Sequence, residues 1–434
     1  MKTLIKQTTV ITVNDNFDLL TDADVVVDGE NISYVGPTKE WQEEFATIID
    51  GRGKLVAPGF VNAHTHAAMS LLRSYADDVP LMYWLEKRIW PIEARLKRED
   101  VYWGTMLALA EMIKSGTTTF ADMYFFMDQV AEAAEEAGIR AVLCRGMVGI
   151  GAEADEALEE SEQFVKRWQG RGDGRITTML GPHAPYTCPP DYLKKVLDLQ
   201  EKLNVPLHIH VAETIDEVKT IRNQYGVTPV RLLNDLGFLA RPVLAAHCVH
   251  LTEEDMEIMS KHNVHVAHNP GSNLKLGSGV APLPELLDKG IIVGLGTDGA
   301  ASNNNLDMME EMRLAALLHK GVNLDPTAIT AEQAMIMATR MGAKALFLDD
   351  VGVIAPGKKA DLIMINLQRP HLIPRHNLVA HLVYAAQPSD IFLVMVNGKI
   401  LCENGKLTTL DEEKILFQAQ QRAELLLIEE EDEQ

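Results

Sequence analysis

The sequence predicts an α/β protein: a (β/α)8 TIM-like barrel beside a small β-sandwich domain made from both chain ends. Three observations predict it. Short apolar runs ending in polar residues recur eight times within residues 58–354, and most are followed by a segment with helical apolar spacing. Both chain ends instead carry short β-rich runs separated by Asn, Asp and Gly. No Gly-x-Gly-x-x-Gly follows the first of the eight runs, which argues against an open doubly wound sheet.

The elements follow in chain order. The 434 residues, 47% of them hydrophobic, suffice for a large core and more than one domain. Near the start, "TTVITV", "ADVVVDG" and "NISYVG" read as strands bounded by turn formers. Near the end, "ADLIMINL" and "DIFLVMVNGKILCENGKL" read likewise, and Asn-Gly marks a hairpin because it accepts positive φ. Neither end alone supplies a stable sheet. Residues 1–57 plus 355–434 are therefore expected to form one composite β-sandwich domain, and residues 58–354 the barrel. The barrel strands are "KLVAPGFVNAHTH", "TTTFADM", "RAVLCRGM", "ITTMLGPHAP", "PLHIHVAE", "VLAAHCVH", "VHVAHNP" and "IIVGLGTD". Segments such as "DVYWGTMLALAEMIKSG" and "YLKKVLDLQEKLN" supply helices, with Gly or Asn at their exits.

In a barrel of this kind the chemistry lies at the C-terminal ends of the strands. Those ends carry His64/His66, Asp122, Arg145, His183, His210/Glu213, His247, His268/Asn269 and Asp298. The chain has 14 histidines, and six at strand ends exceed what core packing explains. Side chains two apart on a strand share a face, so His64 and His66 should both look at the barrel axis, with Thr65 turned outward. "LHIHVAET" repeats the pattern with His208 and His210, of which one suffices as a ligand. Glu213 reads as a third ligand, a proton carrier or the acidic start of the next helix; Asp298, before Gly, as a ligand or a turn residue. Together, three imidazoles and one carboxylate suit one divalent metal per subunit, Zn2+ or alternatively Fe2+. Such an ion lowers the pKa of a bound water. Asp298 is then placed to take the water proton, His247 to orient the water and Glu213 to protonate the substrate. The third and fourth strand ends offer no lysine that could bridge a second ion.

Bulk properties narrow the partners. With 40 basic and 62 acidic residues the net charge is −22, which disfavours nucleic acid and anionic membranes. No membrane span and no signal peptide are expected. Four widely spaced cysteines without a C-x-x-C pair fit a reducing cytoplasm. The C-terminal "IEEEDEQ" reads as a solvated tail. A small-molecule substrate remains, and a homo-oligomer is left open.

"PGFVNAHTH", "HVAE", "AHC" and "GTDGAASNN", in this order, resemble the amidohydrolase superfamily. Four longer strings resemble its 5′-methylthioadenosine/S-adenosylhomocysteine deaminases: "YADDVPLMYWLEKRIWPIEA" (75–94), "GPHAPYTCP" (181–189), "HNPGSNLKLGSGVAP" (268–282) and "TDGAASNNNLDMMEEMR" (297–313). The resemblance covers nearly the whole chain. It implies metal ligands at His64, His66, His210 and Asp298, Glu213 as the acid at purine N1, and His247 as the water-polarising group. It implies hydrolytic deamination at C6 of 5′-substituted adenosines, giving the inosine analogue and ammonia, with a nucleoside as the small-molecule partner. It further implies Glu93 on the ribose hydroxyls, His183 on the purine at N3, Arg145 on a homocysteine carboxylate and Trp84 beside the thioether. The loop after Arg145, "GIGAEADEALEE", is acidic where the family often has a second arginine. This tilts the expectation towards methylthioadenosine or adenosine. The alternative is another deaminase or chlorohydrolase of the superfamily, acting on guanine, cytosine or a triazine. Glu93 with His183 suits a nucleoside better than a free base.

Overall fold

The computed structural model describes residues 2–79 and 83–431, without the side chains of 428–431. Residues 432–434 of the expected tail and residues 80–82 of the 75–94 string lie outside what is described, and the backbone of 428–431 continues the helix Glu412–Glu431. The N-terminal part forms β1 (Lys2–Ile11), β2 (Leu19–Asp28), β3 (Asn31–Pro37), β4 (Thr47–Asp50) and β5 (Lys54–Pro58). The barrel strands are β6 (Phe60–Thr65), β7 (Thr117–Tyr124), β8 (Arg140–Met147), β9 (Ile176–Thr178), β10 (Gly181–Pro182), β11 (Leu207–Val211), β12 (Val243–His247), β13 (His265–His268) and β14 (Val293–Leu295). The chain returns through β15 (Leu362–Asn366), β16 (Ile391–Val396), β17 (Lys399–Glu403) and β18 (Lys406–Leu407).

Both ends share one sheet, ordered β18-β17-β16-β15-β5-β1-β2-β3, with β4 on β1. The join is antiparallel pairing of β5 with β15, Pro58 opposite Leu362. Period-two alternation divides each strand between two cores. Leu55, Ile363 and Ile365 pack into the barrel's core, whereas Val56, Leu362 and Met364 join Val10, Val25, Ile32 and Leu393 in a core of their own. Backbone bonds from Ile32 N to Lys358 O (2.8 Å) and from Ala360 N to Glu30 O (2.8 Å) fold the sheet around that second core.

The barrel comprises two parallel sheets, β10-β8-β7-β6 with β9 on β8, and β11-β12-β13-β14. Its fourth strand is split into β9 and β10. One seam is a bridge between Leu180 and Leu207, supported by His208 N donating to Leu180 O (2.9 Å). The other is closed by Asp298 N donating to His64 O (2.9 Å) and Thr297 N to Asn62 Oδ1 (3.0 Å). Val61, Ala121, Met123, Val142, Cys144, Leu244 and Ala246 fill the interior, as expected of a packed barrel rather than a pore. Gly59 lets β5 run directly into β6: a Cβ there would lie 2.1 Å from the Thr118 side chain. A buried ion pair, Arg140 Nε to Asp361 Oδ2 at 2.7 Å, fastens the start of β8 to the residue before β15. Among the described residues no helix is long and apolar enough to cross a membrane.

Candidate active site

His64 and His66 reach the barrel axis by a route that simple alternation misses. Along the β6–β7 pair, Asn62 faces Phe120 but Thr65 faces Asp122, so β6 carries one extra residue. This bulge re-aims the strand end. Ala63 fills the barrel interior, and His64, next in sequence, also faces the axis. Thr65 Oγ1 donates to Asp122 Oδ1 at 2.8 Å, and Ala67 N donates to the same oxygen at 2.6 Å, which fixes the turn around His66. Left-handed backbone recurs at the other strand ends, at Ala212 (φ 51), His247 (φ 71), Cys248 (φ 52) and Asp298 (φ 60). Such strain in non-glycine residues is stored where the surroundings hold the site in place.

The ring nitrogens are oriented one by one. His66 Nδ1 lies 2.6 Å from Met123 O, and His210 Nδ1 lies 2.7 Å from His183 O. A carbonyl only accepts, so in each ring Nδ1 carries the proton and Nε2 a lone pair. Those two Nε2 atoms stand 3.4 Å apart, where two acceptors repel unless a cation lies between them. His64 Nε2 is buried without a hydrogen-bond partner among the described residues. Its Nδ1 contacts His208 Nε2 at 3.0 Å. Asp298 Oδ2 accepts from Ser272 Oγ (2.6 Å) and Ser302 Oγ (2.8 Å), leaving Oδ1 3.3 Å from His66 Nε2 and 3.5 Å from His64 Nε2. Donor atoms of His64, His66 and Asp298 lie within 4.8 Å of one another, as do those of His64, His210 and His247. Lone pairs oriented by outer partners and converging beside a carboxylate are what a divalent metal requires.

The electrostatics agree. Burial pushes His64 down to about 4 and His210 well below the ordinary histidine range, so both rings stay neutral. Burial opposes ionisation of Asp298, but the His64 contact and the neighbouring His66 and His247 outweigh it and hold Asp298 well below the carboxylate range. His247 is the contrast. Burial works against its charge, yet Glu213 and Asp298 raise its pKa above the usual value. Its Nδ1 meets Asn273 Oδ1 at 2.9 Å, and its Nε2 lies 3.8 Å from Glu213 Oε2. Burial, above all, raises Glu213. Glu217 accepts from the backbone N–H groups of Ala212 and Glu213, both at 2.9 Å, and so fixes the turn that presents Glu213.

A cavity of 380 Å3 opens above this group and is lined by His66, His183, His210, Glu213, His247 and Asp298, with Glu93, Tyr124 and Trp84 further along. Its size suits a small organic ligand. Tyr124 Oη donates to Glu93 Oε1 at 2.6 Å, and burial raises Glu93 to about 7. His183 Nδ1 lies 2.8 Å from Thr187 Oγ1, and burial depresses the ring to about 4. Trp84 is buried in the cavity wall.

Arg145 is not brought into this group. Its neighbours Val142 and Cys144 face the barrel interior, so alternation turns Arg145 away, and its Nε donates to Glu160 Oε2 at 2.9 Å. It does not line the cavity, nor does it pair with Asp122. Sequence reasoning named His208 only as an alternative to His210, not as the partner of His64, and missed Ser272, Ser302, Asn273, Tyr124 and Glu217. Only His208 carried a signal, as the first histidine of "LHIH".

Residues 55–401 match the amidohydrolase family. The 5-methylthioadenosine/S-adenosylhomocysteine deaminase of Pelotomaculum thermopropionicum is 58% identical over 422 residues, covering 97% of this chain and 98% of that protein. An adenosine deaminase from Xanthomonas campestris, solved with bound zinc, superposes with a TM-score of 0.94 at 36% identity, covering 98% of both chains. Atrazine chlorohydrolase from Arthrobacter aurescens, complexed with zinc, gives a TM-score of 0.91 at 28% identity, covering 97% of this chain and 100% of that one. The chain belongs to the amidohydrolase family.

Proposed function

We propose that the protein is a hydrolase that deaminates C6 of 5′-substituted adenosines, with 5′-methylthioadenosine, S-adenosylhomocysteine and adenosine as the substrate class. The carrying observation is one cavity that holds Glu213 beside His247, faces the oriented nitrogens of His66 and His210, and contains the Glu93–Tyr124 pair. The deaminases named above, similar along nearly the full chain, support the same reading.

A single divalent ion fits the donor set, and we take it to be zinc, held by His64, His66, His210 and Asp298. When bound, it would lower the pKa of a coordinated water and supply a nucleophile at neutral pH. The protein's own residues do the rest. C6 of an adenine is a poor electrophile until N1 is protonated. Glu213, whose carboxyl burial raises above the ordinary value and so biases towards its protonated form, is the donor to N1. Asp298, held ionised, accepts the proton of the attacking water. His247, its Nδ1 fixed by Asn273, directs Nε2 towards that water and stabilises charge as C6 becomes tetrahedral. Ammonia then leaves carrying the proton that Asp298 took from the water, and Glu213, ionised by its gift to N1, recovers a proton from the hydroxyl on C6 as the carbonyl forms. Glu93 accepts from the ribose hydroxyls, and His183 bonds the purine edge. Arg145 would need to leave Glu160 before it could meet a homocysteine carboxylate.

The test is a panel of adenosine analogues, free bases and triazines, followed by loss of adenine absorbance together with ammonia release. Turnover of 6-aminopurine nucleosides is expected. Turnover of a triazine or free base with none of any nucleoside would refute the reading.

A further inference from the structure

We propose that the cavity selects a neutral, apolar 5′ substituent, and that Glu160 enforces this choice by holding Arg145 outside the lumen; the proposal rests on the adenosine reading above. Away from the histidine cluster the wall is apolar, built from Trp84, Ile89, Phe125, Val148, Ile150 and Leu276. Among the described lining residues there is no lysine or arginine, and the carboxyl-bearing ones are Glu93, Glu213 and Asp298. A substrate tail that ends in a carboxylate or phosphate therefore meets hydrocarbon and acids. A methylthio group on the same wall gains apolar burial and gives up no hydration of a charge.

Arg145 is the cation that could change this balance, and it sits immediately behind the wall. Its guanidinium lies 5.5 Å from the centroid of the Phe125 ring, and its Nη1 donates to Gly146 O. Phe125 and Gly146 both line the cavity, so one side chain separates the guanidinium from the lumen. Nε is engaged by Glu160 through one carboxylate oxygen and Nη1 by Gly146 O, so two of the three guanidinium nitrogens already have partners. Glu160 lies on the helix Ala154–Trp168, whose acidic N-terminal half follows directly on the cavity-lining loop at Val148 and Ile150. A charged substrate tail must displace this resident partner; a thioether does not. Glu160 is half-exposed, so its substitution leaves the core untouched.

The experiment compares kcat/KM of the metal-loaded enzyme for 5′-methylthioadenosine, S-adenosylhomocysteine and adenosine 5′-monophosphate, in the wild type, Glu160→Gln and Glu160→Gln/Arg145→Gln. The wild type is expected to favour methylthioadenosine over S-adenosylhomocysteine by at least tenfold, with the monophosphate poorer still. Glu160→Gln should raise the S-adenosylhomocysteine to methylthioadenosine ratio several-fold, and the double variant should lose that gain. A wild-type ratio near or above one overturns the proposal, as does a ratio unmoved by Glu160→Gln. Failure of all nucleosides would instead strike the deaminase reading and this proposal with it.

Discussion

Replacing His208 by leucine should weaken metal binding although His208 is not among the ligands we assign. The His64 and His208 rings are fully buried, and His64 Nδ1 meets His208 Nε2 at 3.0 Å. With Nε2 of His64 committed to a metal, Nδ1 must carry the ring proton, and His208 is its acceptor. Leucine of similar volume removes the acceptor and leaves a buried donor unmatched, at a cost of about 1–3 kcal/mol. At about 1.4 kcal/mol per factor of ten, that is roughly 5–140-fold in affinity. Chelator competition with Zn2+ measures this directly. Melting curves of the metal-free and metal-loaded protein separate it from a packing effect, because the stabilisation that the metal adds should shrink. Glutamine at the same position, which still accepts, should restore part of the affinity. Unchanged Zn2+ affinity in the leucine variant would refute the argument. So would an equal loss of Tm with and without metal.

Three further outcomes are expected. Glu213→Gln should retain bound metal, measured by elemental analysis, while turnover falls about 10²–10⁴-fold, as for loss of a general acid; metal loss would make Glu213 a ligand instead. Burial lifts Glu311 from the ordinary 4.5 to about 8, so the folded chain keeps a proton that the unfolded chain releases. Its contribution to stability should fall as pH rises from about 4.5 to 8, and Glu311→Gln should flatten the Tm-versus-pH curve across that window. Asp361→Asn strands the buried Arg140 guanidinium and should cost about 3–5 kcal/mol in denaturant unfolding; a loss below 1 kcal/mol would mean that water reaches the pair.

The barrel was legible because eight apolar runs each ended in polar residues, and the β-rich character of the two ends because Asn, Asp and Gly punctuate their strands. The convergence of His66, His210, His247 and Asp298 could be anticipated because each sits at the end of its own strand, where a barrel brings distant positions together. What was illegible depends on register. The extra residue in β6 has no composition of its own, yet it decides which of Ala63, His64 and Thr65 face the axis. Arg145 stood next to a strand end in sequence, but one residue of phase turned it towards Glu160. Ser272 and Ser302 look like ordinary turn residues in "NPGSN" and "AASNN", and only the closed barrel sets both hydroxyls on Asp298. Glu217 reads as the acidic start of a helix, and its hold on the Glu213 backbone needs the left-handed turn at Ala212.

The antiparallel join of β5 with β15 bears on how the chain is made. Pro58 and Leu362 are about 300 residues apart in sequence. At a synthesis rate of about 5–20 residues per second, the first strands wait roughly 15–60 s for their partner to leave the ribosome. Throughout that interval β5 has an open edge, and the apolar faces of Leu55, Val56 and Ala57 are uncovered. The nascent chain therefore carries an exposed strand for most of its synthesis, and chaperone demand should track the N-terminal segment rather than the barrel.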